Sequence, residues 1–275
     1  MILDSITEST KIRVANAKER LPLEGLKSIL YENGTVRSFN NRIAFAFERA
    51  IGQNSEQMAF ICEVKKASPS KGIISDDFPY LEIGLEYEAA GASAISVLTE
   101  PEYFMGEDEY LQQISEAVHI PVLRKDFTID EYQIYEAKLI GADAVLLICS
   151  LLSVETLKYY ISICNELGMS ALVEVHTEAE VSLAVEAGAR MIGVNNRDLQ
   201  TFEVDLNNSL KLRRLVPKEI IFVAESGIKK ATDIQQLKAA GVDGVLIGET
   251  LMRSSKKREL LKELQNAKSK SCDGI

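Results

Sequence analysis

Cysteine and histidine are scarce in this chain, and where they fall excludes whole classes of chemistry. The four cysteines are Cys62, Cys149, Cys164 and Cys272, and no two form a C-x-x-C pair. Three of them lie in apolar or helical contexts, so reduced core thiols are expected, with a cytoplasmic location. The only histidines, His119 and His176, are in separate segments, so no metal site is expected. No window resembles a membrane span, and the start Met1-Ile2-Leu3-Asp4-Ser5 lacks a basic region followed by a long apolar run. Neither export nor membrane insertion is expected. Basic residues are outnumbered 31 to 41, for a net charge of −10, which argues against a general nucleic-acid binder. The same charge would repel an anionic substrate unless cations gather locally. A glycine fingerprint for dinucleotides is also missing, because Lys65-Lys66-Ala67-Ser68-Pro69 follows the first strand instead.

What is present is a repeat. Ala90-Gly91-Ala92, Ile140-Gly141-Ala142, Ala187-Gly188-Ala189 and Ala240-Gly241-Val242 each close a helical pattern with glycine and lead into an aliphatic run. Glycine just past a helix supplies a left-handed cap, and the run after it is a strand buried on both faces. The full pattern predicts strands at 60–65, 94–98, 121–125, 143–148, 170–175, 191–195, 220–225 and 243–247, with a helix after each. Strict β–α alternation implies an α/β fold with a parallel sheet, and eight repeats close most naturally into a (β/α)8 TIM barrel. An open doubly wound sheet is the runner-up. The 275 residues read as a single barrel domain, with residues 1–50 as an N-terminal helical extension and 268–275 as a frayed tail. Within the extension, helices are predicted over Ser5–Leu21 and Asn40–Ile51, covering the barrel bottom or one edge of its mouth. Ile43, Phe45, Phe47 and Ala50 are available for packing.

Four apolar runs end abruptly in ionisable or amide side chains: Phe60–Lys65, Pro121–Asp126, Ala171–Glu174 and Met191–Arg197. Burying a charge costs several kcal/mol unless it is paired. Such endings are expected to converge on one polar site at the strand C-termini. Glu63 and Lys65 share strand parity, and a loop, Ser68-Pro69-Ser70-Lys71-Gly72, follows that could close over a ligand. The bland alternative is a structural ion pair and a solvated loop. Lys125 shares parity with Leu123, suiting it to donate a proton or form a Schiff base, or merely to snorkel outward. Phe127 beside it suits an aromatic ligand or ordinary core. Glu174 is a candidate general base or a partner for Lys125, and His176 reads as an exposed or capping residue. Asn195 and Arg197 offer hydrogen-bond donors, unless the segment is a plain Asn/Asp turn. Glu225-Ser226-Gly227 and Gly248-Glu249 end the last two strands, where eight-fold barrels build a phosphate cradle.

Taken together, Glu63–Gly72, Leu123–Phe127, Glu174-Val175-His176 and Asn195–Phe202 resemble the signatures of the indole-3-glycerol phosphate synthase family, over about Arg42 to Met252. The resemblance implies a barrel with an N-terminal helical extension. It implies a carboxy-lyase of tryptophan biosynthesis that closes 1-(2-carboxyphenylamino)-1-deoxyribulose 5-phosphate to indole-3-glycerol phosphate, releasing CO2 and water without a cofactor. It implies Lys125 as general acid, Glu174 as base of the dehydration, Lys65 as carboxylate contact and second acid, and Glu63 as the carboxylate holding the lysines. Asn195 and Arg197 match polar contacts near the reacting centre. Ser68, Ser226, Gly227, Gly248 and Glu249 match the phosphate site. Phe104, Phe127, Leu146 and Leu199 match the slot for the anthranilate ring. Glu107 stands where a small hydroxyl residue is usual, and Cys62 replaces a more usual alanine. Lys65, Lys66, Lys71, Lys125 and Arg197 are predicted to gather at the mouth around a small phosphorylated substrate, in a monomer or weak homodimer. Rivals are phosphoribosylanthranilate isomerase, a Schiff-base aldolase using Lys125 or Lys65, or a non-catalytic regulator that keeps a barrel.

Overall fold

The computed structural model describes residues 2–32, 35–36, 42–52, 57–198 and 201–267. Eight parallel strands form a closed barrel: β1 (Ala59–Val64), β2 (Ala94–Leu98), β3 (Val122–Lys125), β4 (Ala144–Ile148), β5 (Ser170–Val175), β6 (Met191–Asn195), β7 (Ile221–Glu225) and β8 (Gly244–Ile247). β8 pairs with β1 to complete the ring. Every strand lies within one residue of its predicted span. The helix-ending glycines explain why. Gly91, Gly141, Gly188 and Gly241 all have positive φ, between 79° and 91°. At the first, the Gly91 N–H donates to Glu88 O and the Ala92 N–H to Tyr87 O, the paired bonds of a Schellman cap.

Two apolar cores follow from strand alternation. Outward residues such as Val97, Leu147 and Ile192 pack under the helices, while inward Ile61, Leu123, Leu172 and Val223 fill the barrel. Arg124 points outward from β3 and is buried against Asp108, Glu136 and Asp126.

The extension comprises α1 (Ile2–Arg20), α2 (Leu23–Leu30) and α3 (Ala46–Gly52). It covers both predicted places. Phe47 and Ile51 of α3 join the inner core at the strand starts, plugging the bottom. The N-terminal residues Ile2, Leu3 and Ile6 of α1 reach the mouth. The sequence pattern did not reveal α2, and α3 starts later than predicted because Phe45 adopts a left-handed φ of 58°. Ile43, expected to pack, is instead exposed, and Phe45 lies beneath the Arg190 guanidinium. The 268–275 tail lies outside the described residues.

Candidate active site

A cavity of about 550 Å³ opens at the C-terminal ends of the strands. Its floor is polar. Lys125, last in β3, donates to Glu174 Oε2 of β5 at 3.1 Å and to Glu225 Oε2 of β7 at 2.6 Å. Lys65, just past β1, is ion-paired with Glu63. All five side chains are mostly buried and point inward, as strand parity requires. Two glycines make the room. A Cβ at Gly248 would overlap the Glu63 carboxylate, and one at Gly193 would overlap that of Glu225. Asn195 and Arg197 also line the cavity, and Asn195 Oδ1 accepts the Arg197 N–H at 3.0 Å. The Arg197 guanidinium is held by Phe202 O at 3.2 Å and Glu249 at 3.6 Å.

One side of the cavity is apolar. The Phe104 and Phe127 rings lie 6.0 Å apart, and Leu98, Leu146 and Ile148 complete this wall. Phe104 is placed by the buried Glu100 carboxylate, which accepts the N–H groups of Glu102, Tyr103 and Phe104. The opposite side is built from the loops after β7 and β8. Ser226 and Gly227 are both left-handed, and Thr250 Oγ1 donates to Ile228 O at 2.7 Å, tying the two loops together. Ser68, Gly248 and Glu249 line the same cavity, with Lys71, Lys229 and Arg253 at its rim.

Burial and neighbouring charge divide the proton affinities unequally. Burial pushes the Lys125 ammonium down, but Glu225, Glu174 and Glu63 outweigh it and its pKa is raised. Burial pushes Glu174 up, yet Lys125, His176 and a hydrogen bond from Asn195 bring it below its ordinary value. Glu225 ends up at about 7, because burial and the facing Glu174 and Glu63 carboxylates overcome its bond to Lys125. The site therefore pairs an ammonium with one firmly ionised carboxylate and one that holds a proton near neutrality.

The family model for indole-3-glycerol phosphate synthase matches residues 3–264. The chain belongs to the indole-3-glycerol phosphate synthase family. A protein of that name from Ruminiclostridium cellulolyticum is 59% identical over 92% of this chain and 95% of its own length. Another, from Lachnoclostridium phytofermentans, is 53% identical over 97% of this chain and 99% of its own length. Among solved structures, 3-hexulose-6-phosphate synthase from Salmonella typhimurium superposes with a TM-score of 0.64 at 16% identity. It covers 76% of this chain and 98% of its own, a likeness of fold. The protein is thus a carboxy-lyase of tryptophan biosynthesis.

Most residues that the family resemblance marked share this one cavity: Glu63, Lys65, Ser68, Phe104, Lys125, Phe127, Leu146, Glu174, Asn195, Arg197, Ser226, Gly227, Gly248 and Glu249. Leu199 lies outside the described residues. Glu63 was expected to hold both lysines, but it pairs with Lys65, while Lys125 goes to Glu174 and Glu225. Lys66 does not line the cavity, and Glu107 faces away, accepting the Tyr110 hydroxyl at 2.7 Å. His176 is neither exposed nor a cap, since its half-buried ring lies between two carboxylates. Sequence reasoning noted Glu225 only as the start of the Ser226-Gly227 ending and gave it no role, although Phe222-Val223-Ala224-Glu225 is another apolar run ending in a charge. Lys229 and Arg253 were missed because loop and helix charges have no strand parity to mark them.

Proposed function

We propose that Lys125, Glu174, Lys65 and Glu63 carry the ring closure of 1-(2-carboxyphenylamino)-1-deoxyribulose 5-phosphate, the reaction of the indole-3-glycerol phosphate synthase family. The observation that carries these roles is the shared ammonium of Lys125, bonded to Glu174 and Glu225 at the cavity floor. In the first step the ring carbon bearing the carboxylate attacks the ribulose carbonyl. Lys125 gives its proton to the oxygen, and the carbonyl becomes a hydroxyl. Loss of CO2 then returns the bonding electrons to the ring. In the last step the hydroxyl leaves as water, protonated by Lys65 or by a Lys125 that has regained a proton from solvent, while Glu174 removes a proton from the carbon skeleton. Glu63, ion-paired with Lys65, keeps it placed to meet the substrate carboxylate.

The rest of the cavity suits the rest of the substrate. Phe104, Phe127 and Leu146 offer an apolar slot for the anthranilate ring, which holds it against the carbonyl carbon and excludes water. Ser68, Ser226, Gly227, Gly248 and the Glu249 N–H form the phosphate site, with the cationic rim offsetting the protein's net charge of −10. Asn195 and Arg197 complete the polar contacts.

The Schiff-base alternative is disfavoured by the raised pKa of Lys125, the wrong direction for an amine nucleophile. Incubation with the substrate is expected to generate indole fluorescence. Lys125→Ala and Glu174→Gln should each lower kcat by at least ~10²-fold with unchanged circular dichroism. Near-wild-type turnover in either variant removes that residue from the mechanism, and a borohydride-trapped lysine adduct would replace proton transfer with covalent catalysis.

A further inference from the structure

His176 is the first residue beyond β5. Side chains alternate along a strand, so it projects to the same side as Glu174, one step nearer the mouth. Its Nε2 lies 3.5 Å from Glu174 Oε1, and its Nδ1 lies 3.6 Å from Glu180 Oε2. Glu180 is fixed independently of the ring. It is the third residue of the helix Glu178–Glu186, where its N–H donates to the Thr177 hydroxyl at 3.2 Å. Its carboxylate also accepts the His176 backbone N–H at 2.5 Å. Nε2 is buried with no hydrogen-bond partner among the described residues. A neutral imidazole has one N–H and one lone pair. Set between two carboxylates, it would turn that lone pair on an anion. The doubly protonated ring has no such conflict.

We propose that His176 is a positioning residue for the reaction: as an imidazolium tethered by Glu180, it keeps Glu174 ionised and aimed for proton abstraction. The proposal rests on Glu174 being the base. His176 does not line the cavity, so it acts through Glu174 rather than on the substrate. The charged groups that act on it come from three elements: Glu174 of β5, Glu180 of the following helix, and Glu225 of β7. The helix Asn207–Leu212 contributes the neutral amide of Asn208, which donates to His176 O at 3.2 Å. Burial pushes the imidazole down, but these carboxylates raise it above its ordinary value. The arrangement also explains why two glutamates sharing one lysine behave differently. Glu174 has two cations beside it, Lys125 and His176, whereas the Glu225 carboxylate is bonded, among the described residues, to Lys125 alone.

With only two histidines in the chain, nitrogen-15 imidazole NMR reads His176 directly in the intact protein, and a His119→Gln variant assigns the signals. The His176 titration should be lowered by Glu174→Gln and by Glu180→Gln, because each variant removes one of the flanking carboxylates. In kinetics, His176→Asn should move the acidic limb of the kcat profile up by ~0.5 units or more, with KM within about twofold and most of the rate recovered at pH 8. The proposal is overturned by a His176 titration that neither Glu174→Gln nor Glu180→Gln lowers. It is equally overturned by a His176→Asn profile that is only the wild-type curve scaled by one factor at every pH. The NMR titration needs no turnover. A Glu174→Gln enzyme that stays active would therefore remove the base assignment, a failure separate from that of the His176 charge.

Discussion

At the scale of residues, the cavity floor is a problem of how many charges can be buried together. Lys125 can neutralise one carboxylate fully, and it is shared between two. Glu225 bears the cost: its pKa rises from the ordinary 4.5 to about 7. An acid whose folded pKa is raised binds its proton more tightly when folded. Its contribution is therefore neutral at low pH, becomes destabilising as pH rises past the unfolded value, and is fully unfavourable above the folded one. The window runs from about pH 4.5 to about pH 7. Glu225→Gln mimics the protonated form at every pH. It should match wild-type stability near pH 4.5 and exceed it at pH 8 by up to ~3 kcal/mol, as 1.36 kcal/mol per unit implies. Thermal melts of both proteins across that range check this. A Gln variant less stable than wild type at pH 8 would mean that the bond to Lys125 outweighs the burial cost.

At the scale of elements, α1 is wired to the active site through one carboxylate. Arg13 makes two bonds to Asp126, at 2.8 and 2.6 Å, and Asp126 also accepts the Thr99 hydroxyl and the Phe127 N–H. Asp126 sits between Lys125 and Phe127, two residues of the cavity wall, so the extension helps fix both. Burial pushes Asp126 up, yet Arg13 and Arg124 hold it below its ordinary value. Stability from a depressed carboxylate is present above the unfolded pKa and is lost as pH falls through the folded one. Arg13→Met should therefore cost on the order of 2–3 kcal/mol at pH 8, with Arg124 and Thr99 softening the loss. The gap in Tm should narrow in acid, and a gap independent of pH would count against the charge pairing. Such links were not legible in the sequence. Barrel strands were, because glycine caps such as Gly91 and aliphatic runs such as Ala144–Ile148 are local signals. The short helix α2 was not, since it contains Gly25 and buries Leu26 and Leu30 through tertiary packing. Lys125, Glu174 and Glu63 stood out as charges ending apolar strands. The partners of Arg124 and Arg13 arrive from distant elements, Asp108 and Glu136 for the first and Asp126 for the second, and no spacing rule encodes them, whereas the partners of His176 lie only two and four residues away along the chain.

At the scale of the whole molecule, the two ends of the barrel do different work. The cations Lys65, Lys71, Lys125, Arg197, Lys229 and Arg253 line the mouth of a protein with a net charge of −10. The opposite end is apolar, closed by Phe47 and Ile51 against Ala59, Ile61, Met191 and Val223. Gly244, opening β8, leaves the space Ile51 occupies, since a Cβ there would come within 2.9 Å of its side chain. Residues at the bottom of such a barrel should govern stability and those at the top chemistry. Phe47 is fully buried and has no polar partner to lose. Phe47→Ala should destabilise by about 3–5 kcal/mol, lowering Tm by roughly 6–15 °C. At 25 °C, where the variant remains folded, kcat and KM should stay within about twofold of wild type, because the cavity lies at the far end of every strand. Differential scanning calorimetry beside steady-state kinetics separates the two effects. A large loss of kcat in a well-folded Phe47→Ala protein would show that the plug sets the geometry of Lys125 and Glu174 through the length of the barrel.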